Sequence, residues 1–174
     1  MLKLSEAILN KPVLSLRTGG PIGTATKVIF NPNNLKVEGW YVTDKFDNTQ
    51  LILVANEVRE IIEPGIVVND HEVLSPAEDL VRLKPILELN FEIIGKSVAT
   101  ESGKKLGKVS DYAIESSGLM VKKIYASQPL VKNLTGGTLS IDRTQIIEIT
   151  NRRIVVEDTT EKLPAGAVIS SPAT

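Results

Sequence analysis

Apolar residues along this chain fall in short runs, rich in β-branched side chains and divided by clusters of Gly, Pro, Asn and Asp. That pattern predicts strands joined by tight turns. Val13, Leu14 and Leu16 form a first short run, which ends at the breaker cluster Thr18-Gly19-Gly20-Pro21. Residues 22–30 predict a second strand, closed by Asn31-Pro32-Asn33-Asn34, and residues 35–43 return from it as a hairpin. A period of two places Leu35, Val37, Gly39 and Tyr41 on one face, expected to be the interior, and Trp40 and Val42 on the other. Apolar residues on both faces predict cover on both sides. After a polar turn at residues 44–48, residues 51–55 predict another strand. Residues 58–62 then turn at Pro64-Gly65, which suits the centre of a type II turn, into Ile66-Val67-Val68.

Three segments lie outside this framework. Residues 1–10 predict one short helical turn leading into the first strand. Residues 75–85 read as a capped helix or extended connector, interrupted by Pro85 and serving as the linker. Leu87, Leu89, Phe91 and Ile93 then alternate with Glu88, Asn90 and Glu92, which predicts a strand.

The pattern is written twice. Residues 11–42 align without a gap on residues 95–126 at a spacing of 84, with Gly19/Gly103, Gly23/Gly107, Leu35/Leu119, Val37/Val121 and Tyr41/Tyr125 identical. Residues 51–70 match residues 139–158 at a spacing of 88, with seven identities in 20, including Glu60-Ile61/Glu148-Ile149 and Ile66-Val67-Val68/Ile154-Val155-Val156. The four extra residues belong in the loop at 129–136. A fixed-period duplication sets the architecture before any single motif does. It predicts a first domain over residues 1–85, a second over 86–163 and a mobile, small and uncharged C-terminal tail over 164–174. Halves near 80 residues bury modest cores, so the two are expected to gain by packing on each other.

A short β run, a Gly-x-x-[Ile/Leu]-Gly turn, a long hairpin, a further strand and a closing hairpin ending in Ile-Val-Val together resemble the PRC-barrel family. The resemblance is strongest from Ile94-Gly95-Lys96-Ser97-Val98 to Gly103-Lys104-Lys105-Leu106-Gly107-Lys108-Val109-Ser110-Asp111. The first copy departs from it, with Pro12-Val13 and Lys27 where the second has Lys96-Ser97 and Asp111. This resemblance implies an all-β fold of two tandem small PRC-type β-barrels, packed side by side with a pseudo-twofold internal repeat. Family members include the cytoplasmic part of the reaction-centre H subunit and the C-terminal domain of ribosome-maturation RimM proteins. What they imply is scaffolding and protein contact, not catalysis.

Composition narrows the chemistry. The absence of cysteine among 174 residues excludes disulfides, thiolate metal sites and cysteine nucleophiles, and no apolar run approaches the ~20 residues of a membrane span. A cytoplasmic location is expected. Asn69-Asp70-His71-Glu72 holds the only histidine, and consecutive ligands in one loop are a poor match to a catalytic zinc site, which takes three well-placed protein ligands. The loop is read as solvated. Gly19-Gly20-Pro21-Ile22-Gly23 is read as turn glycines, because no Lys-Ser/Thr follows and a strand comes next. Glu60/Glu63 and Glu78/Asp79 are read as surface charge. No catalytic, cofactor-binding or metal-binding residue is assigned.

A net charge of -1 conceals an uneven distribution. Residues 95–133 hold seven lysines against three carboxylates, and residues 55–92 hold nine carboxylates against three cations. The asymmetry either orients the two barrels or marks a partner-binding patch at Lys104, Lys105, Lys108, Lys122 and Lys123. The function expected is a non-enzymatic protein-interaction adaptor whose partner is another protein, with self-association open. The alternative is a ribosome-assembly or RNA-associated factor of the RimM-like kind, although aromatic residues at 4% supply few stacking platforms.

Overall fold

Residues 1–128 and 137–158 are described by the computed structural model, so the loop at 129–136 and the tail at 164–174 fall outside the described residues. In chain order the elements are β1 (Leu2–Leu4), β2 (Lys11–Ser15), β3 (Pro21–Asn31), β4 (Lys36–Asp44), β5 (Gln50–Val54), β6 (Val58–Ile62), β7 (Gly65–Val68) and β8 (Leu74–Ser75). Helix α1 (Lys84–Leu89) follows, then β9 (Ser97–Thr100), β10 (Lys105–Glu115), β11 (Met120–Ser127), β12 (Thr138–Asp142), β13 (Ile146–Ile149) and β14 (Arg153–Val156). Among the described residues the chain is mostly strand with one short α-helix, consistent with the all-β expectation.

Contacts divide the chain into Ser5–Phe91 and a second unit made of Met1–Leu4 with the chain from Glu92 onward. The boundary expected at 85/86 falls inside α1, which stays with the first unit. Within Ser5–Phe91 the strand ladder runs β6-β7-β2-β3-β4-β5-β8, with β2 and β7 parallel. Within the second unit it runs β13-β14-β9-β10-β11-β12, with β9 and β14 parallel. The expected closure into barrels is not made among the described residues, because the end strands of neither ladder pair with each other. In the first unit the reason is local: β8 takes the outer edge of β5 through Ile52↔Ser75 and Leu53↔Leu74, while β6 carries a bulge and exposed Arg59 and Glu60. A bulged, charged edge resists further pairing.

The two units share their irregularities. Where β3 pairs with β4, Thr26 and Glu38 are extra residues, and where β10 pairs with β11, Ser110 and Lys122 are extra at the same spacing of 84. The hydroxyls of Thr26 and Ser110 donate to the carbonyls of Tyr41 and Tyr125 at 3.3 and 3.2 Å. The first short strand is displaced by one residue from the gapless alignment: Val13 lies opposite Gly23 and Ile66, and Val98 lies opposite Gly107 and Ile154, a spacing of 85.

The bulge at Glu38 overturns the face assignment for β4. One inserted residue flips every side chain beyond it. Trp40 and Val42, not Tyr41, therefore share the fully buried face with Val37, opposite Val28 and Ala25 of β3 and Leu53 of β5. Trp40 donates its indole N–H to the carbonyl of Ile8 at 3.0 Å, which satisfies the polar end of a wholly enclosed ring. Tyr41 lies half-buried on the other face with Ile29 and Ile52, and Tyr125 is correspondingly packed on Ala113 and Leu4.

The turns also differ from expectation. The positive φ at the hairpin tips belongs to Leu35 and Leu119, at 57° and 50°, and not to the Asn or Gly residues before them. Burial of the Leu35 side chain and the bond from its N–H to the Asn31 carbonyl at 2.8 Å hold that conformation. Glu63 and Pro64 alone form the turn between β6 and β7, with Ile62 opposite Gly65, so Pro64-Gly65 is not the centre of a type II turn. Gly65 is needed for close approach instead, since a Cβ there would lie 2.3 Å from the Pro12 carbonyl oxygen.

The segments preceding each copy show a reciprocal arrangement. Residues 1–10 give a strand, β1, and then a 3-10 turn at Ser5–Ala7. Strand β1 precedes the first copy yet pairs antiparallel with β10 of the second, placing Leu4 on Ala113 and Tyr125. Residues Leu87 and Leu89 form α1 rather than the expected strand. Pro85 lies in its first turn, where a missing N–H costs no helical bond, so it starts the helix instead of interrupting it. Asn90 ends the helix in the left-handed conformation at φ 47°. Helix α1 precedes the second copy yet covers the first, where Ile86 and Leu87 join Leu83 against Ile29, Ile52 and Tyr41. The residues ahead of it give a 3-10 turn at Ala77–Asp79.

Candidate protein-interaction surface

The β10–β11 hairpin positions the lysines singled out in the sequence. Lys105 and Lys108 are exposed on the first residues of β10, next to exposed Lys104, and Lys108 pairs with Ser127 at the end of β11. Lys123 pairs with Ala113 near the hairpin tip, and exposed Lys122 is the bulged residue beside it. Five residues of strand, about 17 Å at ~3.3 Å per residue, separate Lys108 from Ala113. The hairpin thus brings Lys104, Lys105 and Lys108 together at one end and holds Lys122 and Lys123 at the other.

The tip pair meets a carboxylate. Lys123 is opposite Asp142 in the β11–β12 register. The Asp142 carboxyl is held below the ordinary range chiefly by the Thr144 backbone N–H, then by the Thr144 hydroxyl, and further by Lys123 and Lys122. Its other task is structural: it caps the turn Arg143–Gln145, accepting from the Thr144 N–H at 3.0 Å while Gln145 answers the Asp142 N–H at 2.8 Å. At the equivalent positions of the first copy stand Gly20, Pro21, Thr24, Glu38 and Gly39, none of them cationic.

Two further polar groupings were not resolved from the sequence. Ser15 and Thr100, 2% and 5% exposed, end equivalent strands. The Ser15 hydroxyl donates to Asp70 at 2.9 Å, and Arg17 reaches the other carboxylate oxygen at 3.1 Å. Thr100 lies 3.0 Å from the Ser102 hydroxyl, which donates to Asp158 at 2.7 Å. The signal was present in the Asp70/Asp158 match at a spacing of 88. Its meaning lay in the one-residue displacement that aligns Ser15 with Thr100. Both groupings tie the end of one strand to the loop after its parallel neighbour.

A third grouping, around His71, replaces the solvated reading of the histidine loop. His71 Nε2 lies 2.7 Å from Asp44 Oδ2, and the buried Asp44 also accepts from the Phe46 N–H at 2.8 Å. Phe46 stands edge-on to the imidazole at 5.5 Å between centroids and is 70% exposed. The pair anchors the turn at residues 44–48 to the loop after β7. Among the described residues no three His, Asp or Glu side chains gather as metal ligands, and no helix is long and apolar enough to cross a membrane.

Residues 89–163 match the PRC-barrel domain family. The matched stretch spans β9 to β14 and contains all five lysines. No curated protein matches the chain.

Proposed function

We propose that this chain is a non-enzymatic protein-interaction adaptor built on two PRC-type domains, one over the matched stretch and a diverged one over residues 5–91. The observation that carries the reading is the contrast between a shared frame and an unshared surface. Bulges, buried hydroxyls and strand partners recur at fixed spacing, yet Glu38 is replaced by Lys122 at the same bulge, and Pro21 and Thr24 by Lys105 and Lys108. A frame kept while its surface gains cations at two neutral positions and reverses charge at one is suited to presenting two different faces to partners. Such a role also fits the PRC-barrel match, which favours protein contact.

Charge reversal tests it. Lys104→Glu/Lys105→Glu/Lys108→Glu is expected to lose the partner that the parent captures, with an unchanged unfolding midpoint, because exposed charges contribute little to stability. Partners are identified by mass spectrometry, and capture is repeated over a salt series. A protein partner gives a shallow salt dependence from steered association, whereas RNA held at several phosphates gives a steep linear fall of log affinity with log salt. Steep dependence with ribosomal components would move the assignment to the RNA-associated alternative. Equal capture by parent and triple variant would remove the lysine face from function.

A further inference from the structure

We propose that β1 is a displaceable strap over a strand-docking edge of β10, and that the edge accepts an extended segment of a partner protein carrying an aliphatic residue in the place of Leu4. The inference rests on the protein-interaction reading and gives it a location.

The outer edge of β10 is occupied in two parts. Residues 105–108 pair with β9, and Val109 exchanges bonds with Gly95 and Lys96. The remaining stretch, Ala113 to Glu115, pairs with three residues that come from the far end of the sequence: Leu2↔Glu115, Lys3↔Ile114 and Leu4↔Ala113. Backbone pairing gives such an edge its affinity, and the alternate side chain gives it selectivity. Here the buried contact is that of Leu4 against Ala113 and Tyr125, and Leu2 is half-buried. A cation completes the contact at the end of the strap, where the Met1 amine meets Glu115 at 2.6 Å and the Met1 carbonyl accepts from Ser116 at 3.0 Å.

This fastening is smaller than its counterpart. In the first copy the equivalent face is closed by buried Leu83 with half-buried Ile86 and Leu87 from a helix and its lead-in, whereas β1 brings buried Leu4 and half-buried Leu2. A three-residue strand with one buried side chain opens at lower cost than the long core strand it lies on. While it is open, it leaves a backbone edge, an aliphatic slot and a carboxylate arranged for a strand of its own pattern. The occupant is therefore specified by β1 itself, with aliphatic residues two positions apart in the places of Leu2 and Leu4.

The absence of native cysteine permits a direct test on the full chain. The probe is a fluorescently labelled peptide with the sequence of residues 1–6, titrated by anisotropy. Apparent affinity scales with the fraction of chains whose edge is open. Leu4→Asp, which loosens the strap and leaves the slot intact, is expected to bind the probe at least tenfold more tightly than the parent. Leu2→Cys/Glu115→Cys places a disulfide across a register pair. Its reduced form, which lacks the Glu115 carboxylate, is expected to bind the probe through the backbone edge and the Leu4 slot alone, and its oxidised form to bind none. Equal binding by Leu4→Asp and the parent, or by oxidised and reduced forms, would overturn the strap, and the second comparison holds even if Leu4→Asp does not fold. Mixing Leu2→Cys chains with Glu115→Cys chains distinguishes the occupant: a disulfide between two chains would assign the edge to a second copy and overturn the partner assignment. Failure of the adaptor reading would appear in the capture experiment and leave this titration unchanged.

Discussion

Trp40 stands directly across from Val28 in the β3–β4 ladder, and at the same rung of the β10–β11 ladder Ile124 stands across from Tyr112. The large aromatic side chain has changed strands while the pair has kept one large and one aliphatic member. All four are buried, and Tyr112 is so enclosed that desolvation, helped by nearby Asp111, pushes its hydroxyl far above the ordinary tyrosine range. Close packing explains the exchange, since a core senses the combined volume of facing side chains.

Transplanting the second pair into the first copy measures that coupling. Val28→Tyr alone is expected to overpack by about 1 to 3 kcal/mol, and Trp40→Ile alone to cost about 3 to 5 kcal/mol by leaving space and an unpaired Ile8 carbonyl. The double variant is expected to lose at least ~1 kcal/mol less than the sum of the singles, read from urea unfolding followed by circular dichroism. Simple additivity would show that the two sites do not share one volume.

Gly23 and Gly107 are equivalent but not equally constrained. A Cβ on Gly23 would lie 2.7 Å from the Thr43 carbonyl oxygen, and one on Gly107 would lie 2.3 Å from that of Ser127. Gly107 also holds φ at +117°, where side-chain-bearing residues are strained. Valine is expected to cost about 1 to 3 kcal/mol at Gly23 and more at Gly107, measured as the shift in denaturation midpoint. Equal costs would locate the whole penalty in the carbonyl contact.

The two tyrosines of the repeat are expected to differ as well. Tyr125 is 6% exposed beneath Leu4, whereas Tyr41 is half-buried against the α1 segment. Tyr125→Ala is expected to cost about 3 to 5 kcal/mol and Tyr41→Ala about 1 to 3 kcal/mol. Chemical denaturation of the two variants under one buffer gives the comparison.

Acid should weaken the fold through its loop carboxylates. Asp70 is held low chiefly by the His71 backbone N–H and then by the Ser15 hydroxyl, and Asp158 chiefly by the Ser102 hydroxyl. A carboxyl whose folded value lies below the unfolded value of about 4 stabilises above that pH, and the contribution disappears as pH falls through the folded value. The urea midpoint is expected to stay level from about pH 7 to 5 and to drop below about pH 4. Asp70→Asn/Asp158→Asn should have a lower midpoint at pH 7 and a shallower acid decline. An unchanged acid slope would assign the decline to other carboxyls.

The strand frame common to residues 11–70 and 95–158 was legible because glycines and β-branched runs respond to backbone demands that both stretches share. Gly23 and Gly107 are fixed by carbonyl contacts, and Ile66 and Ile154 by identical parallel pairing. The interior face was not legible, because nothing in Val37-Glu38-Gly39 distinguishes a bulged residue from a paired one. Glu38 and Lys122 are ordinary polar strand residues, yet each is the bulged residue that reverses the alternation behind it. The helix was hidden for a related reason. Leu87, Leu89 and Phe91 alternate as a strand would, while Leu83, Ile86 and Leu87 also satisfy one face of a helix, and tertiary cover decided between them. The lysines were legible as charge but not as two groups, since the separation depends on hairpin register.

The exchanged leading segments bear on how such a gene can be cut and reused. A cut at the joint between the copies would leave β1 attached to a half that offers it no strand and would pass through the helix that closes the Ile29 face. The natural segment to move into another protein is therefore residues 5–91, which carries its own cover. The matched half keeps its cover only together with Met1–Leu4 or a substitute for it.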